Sequence, residues 1–347
     1  MSSGPIDLEK QTPMMRQYLG VKAQYPHAII LVRMGDFFEA FYEDAETVAR
    51  LLDLTLTARA KEKDPIPMAG VPHHAAEGYV ARLIALGRTV VMVDQVEDPK
   101  KAKGLVRREV TRILTPGTFV DPEAPPRGTS HLAALARAPG KRLELGLAAL
   151  DVATGTFRAT QAEQLEVVVD ELARLEAREL LVAGSWRDDP ATAPLLAQLA
   201  VALPSLTLTF LEADEAAPGP ARAALVARLG AEEVQALDPL LRAEALTAAG
   251  MALAFAERTQ LAQASLERAA GGHLGHIAEL KPYAASDALV IDHEARTHLE
   301  LFRSAGAAGR KGTLIGALDE AVTSMGGRLL AEWLARPLLD PATISAR

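Results

Sequence analysis

The sequence predicts a multidomain protein, α/β for its first two domains and helical after them. Its 347 residues, at roughly 150 per domain, suggest two or three domains. Strand-like apolar runs alternate with helical-period stretches on both sides of a break at Asp121–Ser130, which holds three prolines and one glycine. Proline fixes φ and withholds a donor, so this stretch reads as an extended linker. After Leu237-Asp238-Pro239 the text becomes rich in Ala and Leu with helical spacing. The expected organisation is therefore a mixed-sheet α/β domain over 1–120, a linker over 121–130, a second α/β domain over 131–238 and a helical segment over 239–347.

In chain order, Ala28–Arg33 (AIILVR) reads as a buried strand. Thr89–Val96 and Glu109–Leu114 read as two more, the last ending at a Pro116-Gly117 turn. Between them, Ala75–Leu86 sets Val80, Leu83 and Ala85 on a helical stripe with Gly87 just past its end. In the second domain, Leu143–Val152 and Thr156–Thr160 flank Ala153-Thr154-Gly155, a hairpin signal. A helix over Glu163–Leu175 and a strand over Glu179–Ala183 follow. The remainder is expected to be mostly helical, and Asp340-Pro341 is a good start for a further helix. The chain stops at Arg347, seven residues into it, so the sequence reads as a fragment.

Composition narrows the function classes. No apolar run approaches the ~20 residues of a membrane span, and the first ten residues lack a signal-peptide pattern. The absence of cysteine removes disulfides, thiolate metal sites and cysteine nucleophiles. A cytoplasmic protein is expected. The net charge of −8 argues mildly against nucleic-acid binding, but residues 1–127 are balanced at 17 basic and 17 acidic residues. Lys100, Lys101, Lys103, Arg107, Arg108 and Arg112 are opposed locally only by Glu109. Such a run either meets phosphates or forms a solvated loop.

The stretch that carries chemistry is Arg33-Met34-Gly35-Asp36-Phe37-Phe38-Glu39-Ala40-Phe41. Gly35-Asp36 suits a type II′ two-residue turn, with Phe37 opening the return strand. Residues i and i+2 of a strand share a face, so Phe37 and Glu39 emerge side by side. A flat ring beside a carboxylate suits a deformable base step: the ring wedges into the stack and the carboxylate meets a base edge. On physics alone, the commoner reading of FFEAF is a half-buried strand with Phe in the core and Glu in solvent.

The wider sequence bears on that choice. Residues 12–18 (TPMMRQY), 33–43 (RMGDFFEAFYE), 65–79 (PIPMAGVPHHAAEGY), 95–104 (QVEDPKKAKG) and 111–118 (TRILTPGT) occur in order, as do 309–313 (GRKGT), 318–330 (LDEAVTSMGGRLL) and 333–341 (WLARPLLDP). Together they resemble the MutS family of DNA mismatch repair proteins, most weakly between about 160 and 280. The resemblance implies that mismatched double-stranded DNA is the partner, with Phe37 stacking on a mispaired base and Glu39 hydrogen-bonding it. It implies that Met34, Asp36, Arg59 and Met68 line or support the same surface. It makes the second domain an RNase H-like connector that docks the downstream repair factor MutL, and the helices after Pro239 the beginning of the lever region.

The family's ATPase needs a G-x-x-x-x-G-K-[ST] loop, and the nearest string here, Gly309-Arg310-Lys311-Gly312-Thr313, has its Lys and Gly in the wrong order. No catalytic residue, metal site or cofactor is therefore expected in this chain, ATP and Mg²⁺ belonging to the family's ATPase. The family dimerises, whereas a monomer without membrane association is expected here, located in the cytoplasm at the bacterial nucleoid.

Two rival readings follow from the residues. In one, the chain is a protein-docking connector without DNA recognition of its own. In the other, Asp151 at a strand end, with Asp170 and Glu171 on the next helix, forms a two-metal nuclease site. A fold retained without catalysis is the plainer account of those acids. His73-His74 read as surface or packing residues, Trp186 and Trp333 as core or interface, and Met325-Gly326-Gly327 as a close helix contact or kink.

Overall fold

The computed structural model describes residues 11–59, 65–96, 107–120, 131–140, 142–264, 274–304, 306 and 310–346, with side chains omitted for 261–264. It divides into two compact units, Met1–Phe119 with Glu257–His273, and Val120–Ala256 with Leu274–Arg347. The expected linker and Lys100, Lys101 and Lys103 lie outside the described residues.

The first unit runs α1 (Pro13–Gln24), β1 (Ile29–Met34), β2 (Phe37–Phe41), α2 (Tyr42–Leu52), β3 (Thr57–Arg59), β4 (Ile66–Pro72), α3 (Ala76–Ala85), β5 (Val90–Gln95) and β6 (Arg108–Leu114). Its six strands lie in the order β3-β4-β2-β1-β5-β6. The β1–β5 pair is parallel and the others are antiparallel, so the sheet is mixed as expected. One face packs on α2 and α3 through Leu31, Phe38, Ala40, Val48 and Leu83. The other meets α1 through Met14, Met15, Tyr18, Ile30, Phe41 and Val91. Gly87 takes a positive φ of 72° and closes α3 from the expected position.

The second unit opens with β7 (His131–Arg137), β8 (Leu145–Asp151) and β9 (Thr156–Ala162). It continues through α4 (Leu165–Arg174), β10 (Ala177–Ala183), α5 (Ala193–Ala202) and β11 (Thr207–Leu211). Then come α6 (Pro218–Leu229), α7 (Ala231–Leu237), α8 (Ala243–Ala264), β12 (Lys281–Pro282), α9 (His293–His298), α10 (Leu314–Leu318), α11 (Ser324–Ala335) and α12 (Pro341–Ala346). The strand order is β11-β10-β7-β8-β9-β12. β7, β8 and β9 form an antiparallel meander, while β10 joins β7, and β11 joins β10, in parallel. Helices cover both faces: α4 and α5 through Leu165, Val168, Leu172 and Leu199, and α6–α8 through Leu225, Val234, Leu237 and Leu253.

The expectation of an all-helical segment over 239–347 is corrected. α8 is the only long helix there among the described residues, and Lys281–Pro282 returns to the sheet beside β9. A short strand ending in proline leaves too little periodicity to betray itself. α12 does start at Pro341, under an Asp340 side chain that accepts the Thr343 N–H at 2.9 Å.

Candidate nucleic-acid interface

The site is built on the β1–β2 hairpin. Gly35 turns the chain with φ +61°, a conformation that glycine adopts without the Cβ penalty other residues pay. Asp36 completes the turn in an exposed position, and its backbone carbonyl accepts the His73 N–H at 2.8 Å. Antiparallel register pairs Met34 with Phe37 and Val32 with Glu39. The period of two then sends Phe37, Glu39 and Phe41 to the α1 face, and Phe38 and Ala40 to the face under α2 and α3.

Burial along β2 separates three phenylalanines by task. Phe41 is fully enclosed, with the Tyr18 ring of α1 edge-on to it at 5.3 Å, and Phe38 is buried on the opposite face. Phe37 keeps 46% of its surface exposed. The difference arises because α1 is only 12 residues long. It covers the sheet at Phe41 and leaves the hairpin end bare.

Opposite this end lies Gly70, the β4 partner of Glu39. A Cβ built on Gly70 would lie 3.5 Å from the Glu39 Cγ and 3.6 Å from the Phe37 Cδ1. Both side chains therefore lie over the same glycine, side by side as the spacing requires. From behind, the hairpin is braced by Phe38, which stacks on the His73 ring at 5.8 Å and has the Arg33 guanidinium 5.6 Å from its centroid.

The electrostatics centre on Glu39. Its side chain is half-buried, and its Oε2 has no hydrogen-bond partner. Arg59 at the end of β3 approaches that oxygen to 3.9 Å while remaining half exposed. Burial pushes the Glu39 carboxyl above its ordinary range, and Arg59 opposes the shift. On the other side of the hairpin, Arg108 of β6 donates to the Arg33 carbonyl at 3.2 Å and reaches the Met34 sulfur at 3.4 Å. Burial and the charge of Arg59 hold Arg108 below the usual arginine range. Met68 is half-buried between its strand partners Phe41 and Thr57.

All six sequence-predicted residues thus belong to one corner of the sheet. Phe37, Glu39, Met34, Arg59 and Met68 share a face by strand alternation, and Asp36 sits at the turn. The surface offers a flat apolar ring, a buried acceptor lacking a donor, and cations on both flanks. Sequence reasoning missed two contributors. Gly70 carried a signal, because a glycine inside a strand marks a close approach. Arg108 was visible only as one cation in a run, since its reach to Met34 depends on the order of strands. Of its neighbours, Arg107 pairs with Glu109 and Arg112 with Glu77.

The acids of the second unit are otherwise engaged. Asp151 is buried, and its Oδ1 accepts the N–H groups of Ala153 and Thr154 at 2.9 and 3.2 Å, which caps the β8–β9 turn. Asp170 accepts the His293 N–H at 3.1 Å, and Glu171 accepts from Arg174 and the Tyr283 hydroxyl. Among the described residues no group of three His, Asp or Glu is placed to hold a metal ion. Nor is any described helix long and apolar enough to cross a membrane.

Comparison with known proteins gives a consistent match. Family models described as MutS domain I, MutS domain II and MutS domain III match residues 12–123, 130–274 and 294–347. Proteins named DNA mismatch repair protein MutS from Symbiobacterium thermophilum and Syntrophobacter fumaroxidans are each 42% identical, over 99% and 98% of this chain. The protein of that name from an Anaeromyxobacter species, strain K, is 44% identical over 99%. The chain spans 38%, 37% and 36% of the lengths of these three relatives.

Proposed function

The chain belongs to the MutS family, and from that premise we propose that it recognises mispaired or unpaired bases in double-stranded DNA, Phe37 acting as a wedge and Glu39 as the hydrogen-bonding probe. The observation that carries the reading is the half-exposed Phe37 ring lying beside a Glu39 oxygen that accepts no hydrogen bond, both over Gly70. A ring sealed in its own domain would need rearrangement before it could enter a base stack; this one is already available.

Energetics favour a readout by deformability. Inserting an apolar wedge from the minor groove costs on the order of a few kcal/mol per step, and less where pairing is already weak. Bending a short site adds roughly 1–6 kcal/mol, again less where the duplex is flexible. A mispair lowers both costs. Glu39 then supplies a second criterion: a carboxylate beside phosphates is disfavoured unless it shares a proton with a base atom, and its raised affinity for a proton suits that role. Arg59 and Met34 border the pair, Met68 supports its strand, and Asp36 shapes the turn.

The domain limits 1–120, 121–130, 131–238 and 239–347 belong to the same proposal. The meander β7–β8–β9 extended by parallel β10 and β11 supports an RNase H-like connector. In this reading the connector relays state and docks MutL, and the helices after Pro239 begin the levers. In the same reading the chain serves as a DNA-binding module, monomeric and cytoplasmic, with ATP and Mg²⁺ acting at the family's P-loop.

The test is a fluorescence-anisotropy titration of mispaired and matched duplexes. Phe37→Ala is expected to abolish the preference for the mispaired duplex, in this chain and in a longer protein containing it. Retained discrimination would refute the wedge.

A further inference from the structure

The second unit encloses a cleft of about 600 Å³, a size typical of ligand and peptide sites. Its walls are the end of β9, the α4 side chains Val167 and Asp170, and the segment 282–291 that follows β12. Neither the DNA reading nor the second unit's core packing uses it.

The strand edge comes first. β12 pairs with β9 at only two positions, Lys281 with Arg158 and Pro282 with Ala159. The Tyr283 N–H then donates to the Ala159 carbonyl at 3.0 Å, and the chain leaves the sheet. Strand alternation makes Gln161 the next residue whose backbone faces outward. Among the described residues it has no backbone partner on that side. An unpaired edge is a template for another strand.

The polar groups come next. Thr160 is 2% exposed, and its hydroxyl, at the cleft wall, has no hydrogen-bond partner. Glu163 pairs with Arg242, and Glu171 is compensated by Arg174 and Tyr283. Among the described residues Asp170 forms no ion pair. It accepts the His293 N–H, and burial with Asp292 and Glu171 nearby pushes its carboxyl upward, opposed by that bond and by the charge of His293, while the Arg296 guanidinium lies within its field. The rim is apolar, with Leu240, Leu289 and Val290 all more than 45% exposed.

We propose that this cleft docks an extended peptide segment of a partner protein, apolar and carrying one lysine or arginine, which adds a strand at Gln161 and sets its cation against Asp170. Main-chain hydrogen bonds then supply affinity, and alternate side chains supply selectivity, as in other strand-addition sites. The apolar side chains lie against Leu289 and Val290, and the Thr160 hydroxyl gains a partner from the incoming segment.

The test selects a displayed library of random heptapeptides on the intact chain and measures the winners by calorimetry and amide exchange. Enriched sequences are expected to be apolar with one Lys or Arg and to slow exchange at Gln161–Glu163. Asp170→Asn keeps an oxygen for the His293 N–H and removes the charge, so it is expected to weaken these peptides at least about tenfold. Val290→Ser, at a position 68% exposed and so harmless to folding, is expected to weaken them as well. Failure to enrich any sequence would overturn the proposal, as would acidic or neutral winners, or binding that leaves the β9 edge unprotected and ignores both variants.

Discussion

At the scale of residues, the account rests on Glu39 being costly to charge where it stands. A carboxyl whose proton affinity is raised by burial lowers folded-state stability progressively as pH rises from its unfolded to its folded value, and by the full amount above that. Below the unfolded value both states are protonated and the difference vanishes. Glu39→Gln is therefore expected to raise the melting temperature at neutral pH and to leave it unchanged well below the ordinary glutamate range, which a pair of thermal melts would check. The same substitution separates two accounts of DNA contact. If Glu39 shares a proton with a base atom, mismatch affinity in the unaltered chain increases as pH falls toward the raised carboxyl value, and Glu39→Gln keeps or tightens binding with a flat profile. A loss as large as that from Phe37→Ala would contradict the shared proton.

The pairing of these residues was legible before any coordinates, because alternation by two and a Gly-Asp turn require it. Phe37 and Phe41 share a face, and the turn of the chain into a helix near Glu43-Asp44 argues that Phe41 packs inward; the structure encloses it and leaves Phe37 half exposed.

At the scale of elements, α1 is held by a polar network. Buried Asp44 of α2 accepts the Tyr18 hydroxyl at 2.7 Å, Lys22 at 2.8 Å and the Ile30 N–H at 3.1 Å. Removing the carboxylate orphans the Ile30 N–H and leaves the Tyr18 hydroxyl and Lys22 only their bonds to the Phe41 and Ala28 carbonyls. Asp44→Ala is thus expected to cost about 3 kcal/mol and to show first as rapid amide exchange in α1 and β1. A variant as protected as the parent would mean that packing alone positions the helix. The α8 helix shows the opposite device, contact without side chains. A Cβ on Gly250 would come within 2.1 Å of the Ala221 carbonyl oxygen in α6, so Gly250→Ala forces the helices apart. It is expected to destabilise by roughly 1–3 kcal/mol, the cost of overpacking, measured as a lowered melting temperature.

Element types were readable where periodicity was strong. β1, β5, β6, α3, the β8–β9 hairpin and α4 stand within two residues of their expected limits. β7 escaped, because HLAALAR is buried almost throughout and its Ala/Leu text carries neither the period of a strand nor β-branched residues. β3 and β12 escaped because two or three residues give no period to read.

At the scale of the whole molecule, two mixed sheets divide the labour proposed here. The first leaves one corner uncovered, and the second is clad in helices on both faces. Charge fits this division. The stretch proposed to face DNA is electrically neutral while the acidic excess lies after residue 127, so a net charge of −8 says little about that surface. Binding by the chain alone is expected to weaken steeply with salt, because backbone phosphate contacts dominate affinity.

The central claim is that an aromatic ring on a hairpin senses how readily a base step opens. It is tested most directly by placing 2-aminopurine beside a single unpaired thymine and following its fluorescence as the chain is added at low ionic strength. The account predicts brightening as the ring unstacks the step, little change on a matched duplex, and no brightening with Phe37→Ala at matched occupancy. Equal brightening by the parent chain and Phe37→Ala would contradict it.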